Sequence, residues 1–208
     1  MTMRMPSQLY AMVDPAGGHA PVELAELLLA AGARVMQLRL KEAAARDFLA
    51  AATAIASRCR ARGALLIVND RVDIAVLSGA DGVHLGQTDL PLAQARQIMG
   101  PSAIIGVSTR NLAMAREAEA GGADYIGFGP MYPGGVKHTT AAQGLDKLRA
   151  VRAAVKIPIV AIGGITEASM PEVLAAGADA AAIITDVVKA PDIGAKVRAL
   201  LAITPARR

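Results

Sequence analysis

One short punctuation recurs along this chain and limits its fold more than any single residue does. Gly79-Ala80-Asp81, Gly122-Ala123-Asp124 and Gly177-Ala178-Asp179 each follow a stretch of helical spacing and precede a short apolar run, and Ala31-Gly32-Ala33 is a variant. Glycine supplies the left-handed backbone that ends a helix, and a short turn then delivers the chain into a strand. Reading outward by period, strands are expected near 8–13, 35–40, 65–69, 82–85, 104–108, 125–129, 157–162 and 180–185. Helices are expected over 21–31, 43–61, 72–78, 92–99, 111–120, 146–154, 167–176 and 193–201.

Continuous apolar strands separated by helices indicate a parallel sheet covered by helices. Eight even units fill 208 residues with no linker left over, so the expected fold is α/β, a single (β/α)₈ barrel over residues 1–208. An open doubly wound sheet is the competing arrangement. Hydrophobic residues are 53% of the chain and aromatics only 2%, which predicts an interior of Ala, Val, Leu, Ile and Met.

The net charge of +4 is modest, and its 22 basic residues are neither clustered nor interleaved with stacking aromatics. That argues against nucleic acid and for small anionic metabolites. Cys59 is the only cysteine, so disulfides and cysteine-ligated metals are excluded. No apolar run reaches membrane-span length and Met1–Tyr10 lacks a signal core, so a cytoplasmic protein without a membrane partner is expected. A homo-oligomer is left open.

In a barrel of this kind function lies on the loops after the strands. The second strand closes with Gln37, Arg39 and Lys41, whose alternation puts them on one side of an extended chain. Cations held there are costly unless an anion meets them. Asp70 follows the third strand and Asp89 the fourth; each has a capping reading, and beside Arg39 and Lys41 the pair suits Mg²⁺ completed by substrate phosphates. Ser108 and Thr109 after the fifth strand either cap the next helix or meet a phosphate. The longest loop, 131–145, carries Gly134-Gly135-Val136-Lys137 and is expected to cover a site. Gly163-Gly164 after the seventh strand and Ile184-Thr185-Asp186 after the eighth lie where barrels commonly cradle a phosphate.

Taken together, Gln37-Leu38-Arg39-Leu40-Lys41, Asn69-Asp70-Arg71, Gly82 through Asp89, Gly106-Val107-Ser108-Thr109, Gly127-Phe128-Gly129-Pro130 and Ile162-Gly163-Gly164-Ile165 resemble the thiamin phosphate synthase family in order and spacing. The resemblance runs from about Leu9 to Val188. It implies a transferase that joins hydroxymethylpyrimidine diphosphate to thiazole phosphate, with Mg²⁺ and release of diphosphate. By the same resemblance Asp70 and Asp89 bind the metal, and Arg39, Lys41, Asn69, Ser108 and Lys137 hold the diphosphate. Arg39, Lys41, Ser108 and Lys137 are then the catalytic set, while Gln37 and His84 lie near the pyrimidine and Gly164, Ile184 and Thr185 receive the thiazole phosphate.

Three positions, in two places, depart from the family pattern. Its loop after the sixth strand usually reads Pro-Thr-x-Thr-Lys, and here Gly134 and Val136 replace both threonines. Arg110 stands where the family often has histidine. The alternatives are the related thiazole tautomerase, which uses a histidine after the fifth strand, and a non-catalytic binder of phosphorylated thiamin precursors.

Overall fold

The computed structural model describes residues 4–133 and 141–203. Eight parallel strands close in sequence order: β1 (Leu9–Val13), β2 (Val35–Leu38), β3 (Leu65–Asn69), β4 (Gly82–Leu85), β5 (Ile104–Thr109), β6 (Tyr125–Phe128), β7 (Ile159–Ile162) and β8 (Ala180–Ile183). β1 pairs with β8 through Leu9 and Ala181, which excludes the open doubly wound sheet. Around them lie α1 (Pro21–Ala30), α2 (Ala45–Ala61), α3 (Val72–Ser78), α4 (Leu92–Met99), α5 (Leu112–Ala120), α6 (Gly144–Ala154), α7 (Met170–Ala175), α8 (Thr185–Val188) and α9 (Ile193–Ala202).

Two cores result from strand alternation. Outward-facing residues such as Leu38, Val68, Leu85 and Ile126 pack beneath the helices with Leu28, Ile55 and Val197. Inward-facing Tyr10, Met12, Val35, Ile67, Tyr125, Val160 and Ala180 fill the barrel. The expected all-aliphatic interior is therefore wrong at its centre, where two of the three tyrosines sit fully buried. Space for them comes from glycine: a Cβ on Gly106 would lie 2.1 Å from the Tyr125 ring, and one on Gly127 would lie 3.0 Å from His84.

The recurring punctuation proves to be more than a helix stop. Gly79 does cap α3 in the left-handed region at φ 68°. In addition, each aspartate reaches sideways and accepts an amide of the preceding strand: Asp81 from Leu66, Asp124 from Ile105 and Asp179 from Ile159, all at 2.8 Å. Arginines near the ends of α2, α4 and α6 then meet the same turns. Arg60 donates to the Gly79 carbonyl, while Arg96 and Arg152 pair with Asp124 and Asp179 at 2.6 and 2.9 Å. The N-terminal face of the barrel is laced by one motif used three times.

Boundaries differ from expectation at the ends of two strands. β2 ends at Leu38 and not Leu40, so Arg39 and Lys41 stand on the loop beyond it. β8 ends at Ile183, and Thr185 opens α8, a four-residue helix that the sequence reading had merged into the strand.

Candidate active site

Five side chains make a hydrogen-bonded chain across the top of the barrel core. Gln37 Nε2 on β2 donates to Tyr10 Oη on β1 at 3.1 Å. The Tyr10 and Tyr125 hydroxyls pair at 2.7 Å, joining β1 to β6. Tyr125 Oη lies 3.0 Å from His84 Nδ1 on β4, and His84 Nε2 lies 2.8 Å from Ser108 Oγ on β5. Burial holds the phenols of Tyr10 and Tyr125 well above their ordinary pKa, so both keep their protons. No side-chain nitrogen or oxygen buried in the described residues lacks a partner, consistent with a complete network.

Above β2, β3 and β4 the loops carry the charged part of the site. Arg39 pairs with Asp14 at 2.5 Å, and Asp14, only 3% exposed, also accepts the Ala16 amide at 3.0 Å. Lys41 Nζ lies 3.4 Å from Asp70 Oδ2. Asp70 holds a left-handed backbone, φ 65°, which is unfavourable for a residue with a side chain. Burial first and the nearness of Asp70 second raise the Asp89 pKa, while the Gly86 amide at 2.6 Å and Lys41 oppose the rise. A cleft of about 250 Å³ is lined here by Lys41, Asn69, Asp70 and Arg71 over Leu40 and Phe48.

The capping alternatives fail on geometry. Arg71 and Pro91 occupy the N-cap positions of α3 and α4 without a side-chain cap, so neither Asp70 nor Asp89 caps a helix. α5 is capped by Asn111, whose Oδ1 accepts the Met114 amide at 2.9 Å. Thr109 Oγ1 donates instead to the Gly127 carbonyl at 3.1 Å. No group of three or more His, Cys, Asp or Glu side chains suited to a metal occurs among the described residues.

On the other side of the mouth the loops after β7 and β8 are bound to each other. Asp186 of α8 accepts the Glu167 amide at 2.8 Å, and Lys196 of α9 pairs with Glu167 at 2.7 Å and with Asp186 at 3.5 Å. A Cβ on Gly164 would sit 2.8 Å from the Tyr132 carbonyl, so backbone alone fits there. α8 begins at Thr185, after an N-cap at Ile184 that makes no side-chain cap hydrogen bond.

Gln37, His84 and Ser108 thus meet in one network, and Arg39, Lys41, Asn69, Asp70 and Asp89 gather on the adjoining rim. Lys137, Gly134 and Val136 lie outside the described residues. Arg110 is exposed. The sequence reading missed Tyr10, Tyr125 and Asp14, and it placed Asp186 after the eighth strand without assigning it a role. Asp14 follows β1 directly and obeys the same strand-end rule that found the others. The tyrosines were signalled by rarity, as polar aromatics within otherwise aliphatic strands. A larger cleft, about 490 Å³, opens at the opposite face between Ser7, Gln8, Lys156, Pro158 and Asp179, away from this chemistry.

Comparison with known proteins agrees with the geometry. A family model described as thiamine monophosphate synthase matches residues 9–187. The thiamine-phosphate synthase of Methanoculleus marisnigri is 47% identical over 195 residues, covering 92% of each chain. That of Moorella thermoacetica is 48% identical over 185 residues, 88% of each. The solved thiamine phosphate pyrophosphorylase from Pyrococcus furiosus superposes with a TM-score of 0.86 at 38% identity, over 93% of both chains. With this match on sequence and fold alike, the chain belongs to the thiamine monophosphate synthase family.

Proposed function

We propose that this chain is a transferase that joins hydroxymethylpyrimidine diphosphate to thiazole phosphate, giving thiamin phosphate and free diphosphate. The observation that carries the reading is the meeting of Asp70, Asp89 and Lys41 on one rim, facing a mouth whose other side is glycine backbone. The first arrangement suits a diphosphate with a divalent cation; the second suits a monophosphate. Asp70 and Asp89 are the residues that would hold Mg²⁺, which when bound neutralises charge on the departing diphosphate.

In the proposed reaction the pyrimidine C–O bond breaks first and its electron pair leaves with the diphosphate. The thiazole nitrogen then gives its lone pair to the resulting carbocation, forming the C–N bond. No protein nucleophile is required. Arg39, braced by Asp14, and Lys41, with Asn69, Ser108 and Lys137, supply fixed positive charge and donors where the leaving group gains charge. Such preorganised groups are each worth about 3 to 4 kcal/mol. Gln37 and His84 lie beside the pyrimidine, and Gly164, Ile184 and Thr185 take the thiazole phosphate. The same reading includes one domain over residues 1–208 and a cytoplasmic location; no helix among the described residues is long and apolar enough to cross a membrane. Thiazole tautomerase activity is disfavoured because it needs no diphosphate rim and because Arg110 replaces its histidine.

The test is a coupling assay with both substrates, with and without Mg²⁺. Metal-dependent formation of thiamin phosphate and diphosphate is expected; thiazole phosphate binding without product would sink the transferase reading. Lys41→Ala should slow turnover about 10²- to 10³-fold and leave thiazole phosphate affinity within about twofold, as expected for separate anion sites.

A further inference from the structure

We infer that Tyr125 is a positioning residue: with Tyr10 and Gln37 it fixes the tautomer of His84 and thereby turns the Ser108 hydroxyl hydrogen toward the leaving diphosphate. This deepens the proposed function and rests on it in one respect, the placement of the diphosphate at Ser108.

The direction follows from counting donors. An amide nitrogen only donates, so Gln37 Nε2 gives its hydrogen to Tyr10 Oη at 3.1 Å. Tyr10 still has its own hydroxyl hydrogen in a fully buried position, and its other hydrogen-bond partner is Tyr125 Oη at 2.7 Å. Were Tyr125 the donor of that pair, the Tyr10 hydrogen would be stranded in the barrel core, an arrangement folded proteins avoid. Tyr10 therefore donates to Tyr125, and Tyr125 donates onward to His84 Nδ1 at 3.0 Å.

Nδ1 can accept only if it carries no proton, so the ring hydrogen is on Nε2 and is given to Ser108 Oγ at 2.8 Å. Ser108 receives at one lone pair and keeps its own hydrogen to donate elsewhere. The elsewhere is the mouth of the barrel, because Ser108 is one residue from the end of β5, is paired in register with Gly127 of β6 and is hydrogen-bonded to His84 of β4. Gly127 leaves the His84 ring the space to stand between them. An anion arriving at the rim thus meets a hydroxyl already oriented as a donor, without the cost of turning it during the reaction.

The wild-type protein, labelled with ¹⁵N at histidine, tests the assignment by NMR, the His84 signals being those lost in His84→Gln. A spectrum of the Nε2–H tautomer is expected; Nδ1–H, or an even mixture, overturns the inference whether or not the chain turns over substrate. Inorganic diphosphate with Mg²⁺ then tests the consequence by calorimetry. Ser108→Ala should weaken its binding about tenfold. Tyr125→Phe, checked for folding by circular dichroism, should weaken it at least about threefold and lose the single tautomer. The double variant should bind no worse than Ser108→Ala, since both changes remove one effect. Unchanged binding in Tyr125→Phe, or additive losses, overturns the inference. A wild type with the expected tautomer that binds no diphosphate overturns the role of Ser108 together with the proposed function, and is distinguishable from either. If Tyr125→Phe does not fold, the wild-type tautomer remains decisive.

Discussion

Asp89 shows how a single residue here is tuned by what it faces. Burial first, and the neighbouring Asp70 second, raise its pKa, so in the metal-free protein ionising it is unfavourable. A carboxyl whose folded pKa is raised contributes stability at low pH that is lost as pH rises through that pKa. Asp89→Asn should therefore melt no lower than wild type, and preferably higher, at pH 7 in chelator, with the advantage gone near pH 3, below the ordinary carboxylate range of about 4. Added Mg²⁺ should raise the melting temperature of the wild type and not of the variant. A variant that melts lower than wild type in chelator, or gains as much from Mg²⁺, would remove the reason for reading this pair as a cation site. At this scale the sequence was informative for charged strand-end residues, because an anion site needs Lys41, Asp70 and Asp89 to be where polar groups are otherwise costly. For Tyr10 and Tyr125 rarity was its one signal and gave no role, since a lone tyrosine in an apolar strand looks like ordinary core until its partner across the barrel is known.

Among the elements, helices and strands that repeat a period were legible, and those shorter than a period were not. α8 spans only Thr185–Val188, about one turn, so no spacing could separate it from the strand before it. β2 was read two residues too long because alternation continues through Arg39 and Lys41, although the strand ends at Leu38 and only the Arg39 amide still bonds β1, at Val13. The aspartates of the turns were visible, but their sideways bonds depend on which strand lies next door. Asp124→Ala removes the acceptor of the Ile105 amide and the partner of Arg96. It should cost about 1 to 3 kcal/mol, read by chemical denaturation, with kcat for the coupling reaction unchanged. A comparable loss of kcat in folded protein would show that the two faces of the barrel are not independent.

For the whole molecule, closure was the hardest feature to read, because period is local while the pairing of Leu9 with Ala181 joins the two ends of the chain. The evenness of the units favoured a barrel and the aspartate-laced face explains how the units are held. Each lacing aspartate bonds the strand just before it, and each associated arginine comes from the helix before that. All the residues of any one joint consequently fall within a single continuous piece of sequence, and none of the three spans the loop after β6. A gene split there, coding for residues 1–133 and 141–208 as two polypeptides, leaves Asp81 and Asp124 complete in one fragment and Asp179 complete in the other. The two fragments should reassemble through β6–β7 and β8–β1 when co-expressed, whereas a split at Gly122, which separates Asp124 from Ile105, should not. The molecule is in that sense a six-stranded piece and a two-stranded piece that close on each other, each carrying its own joints complete.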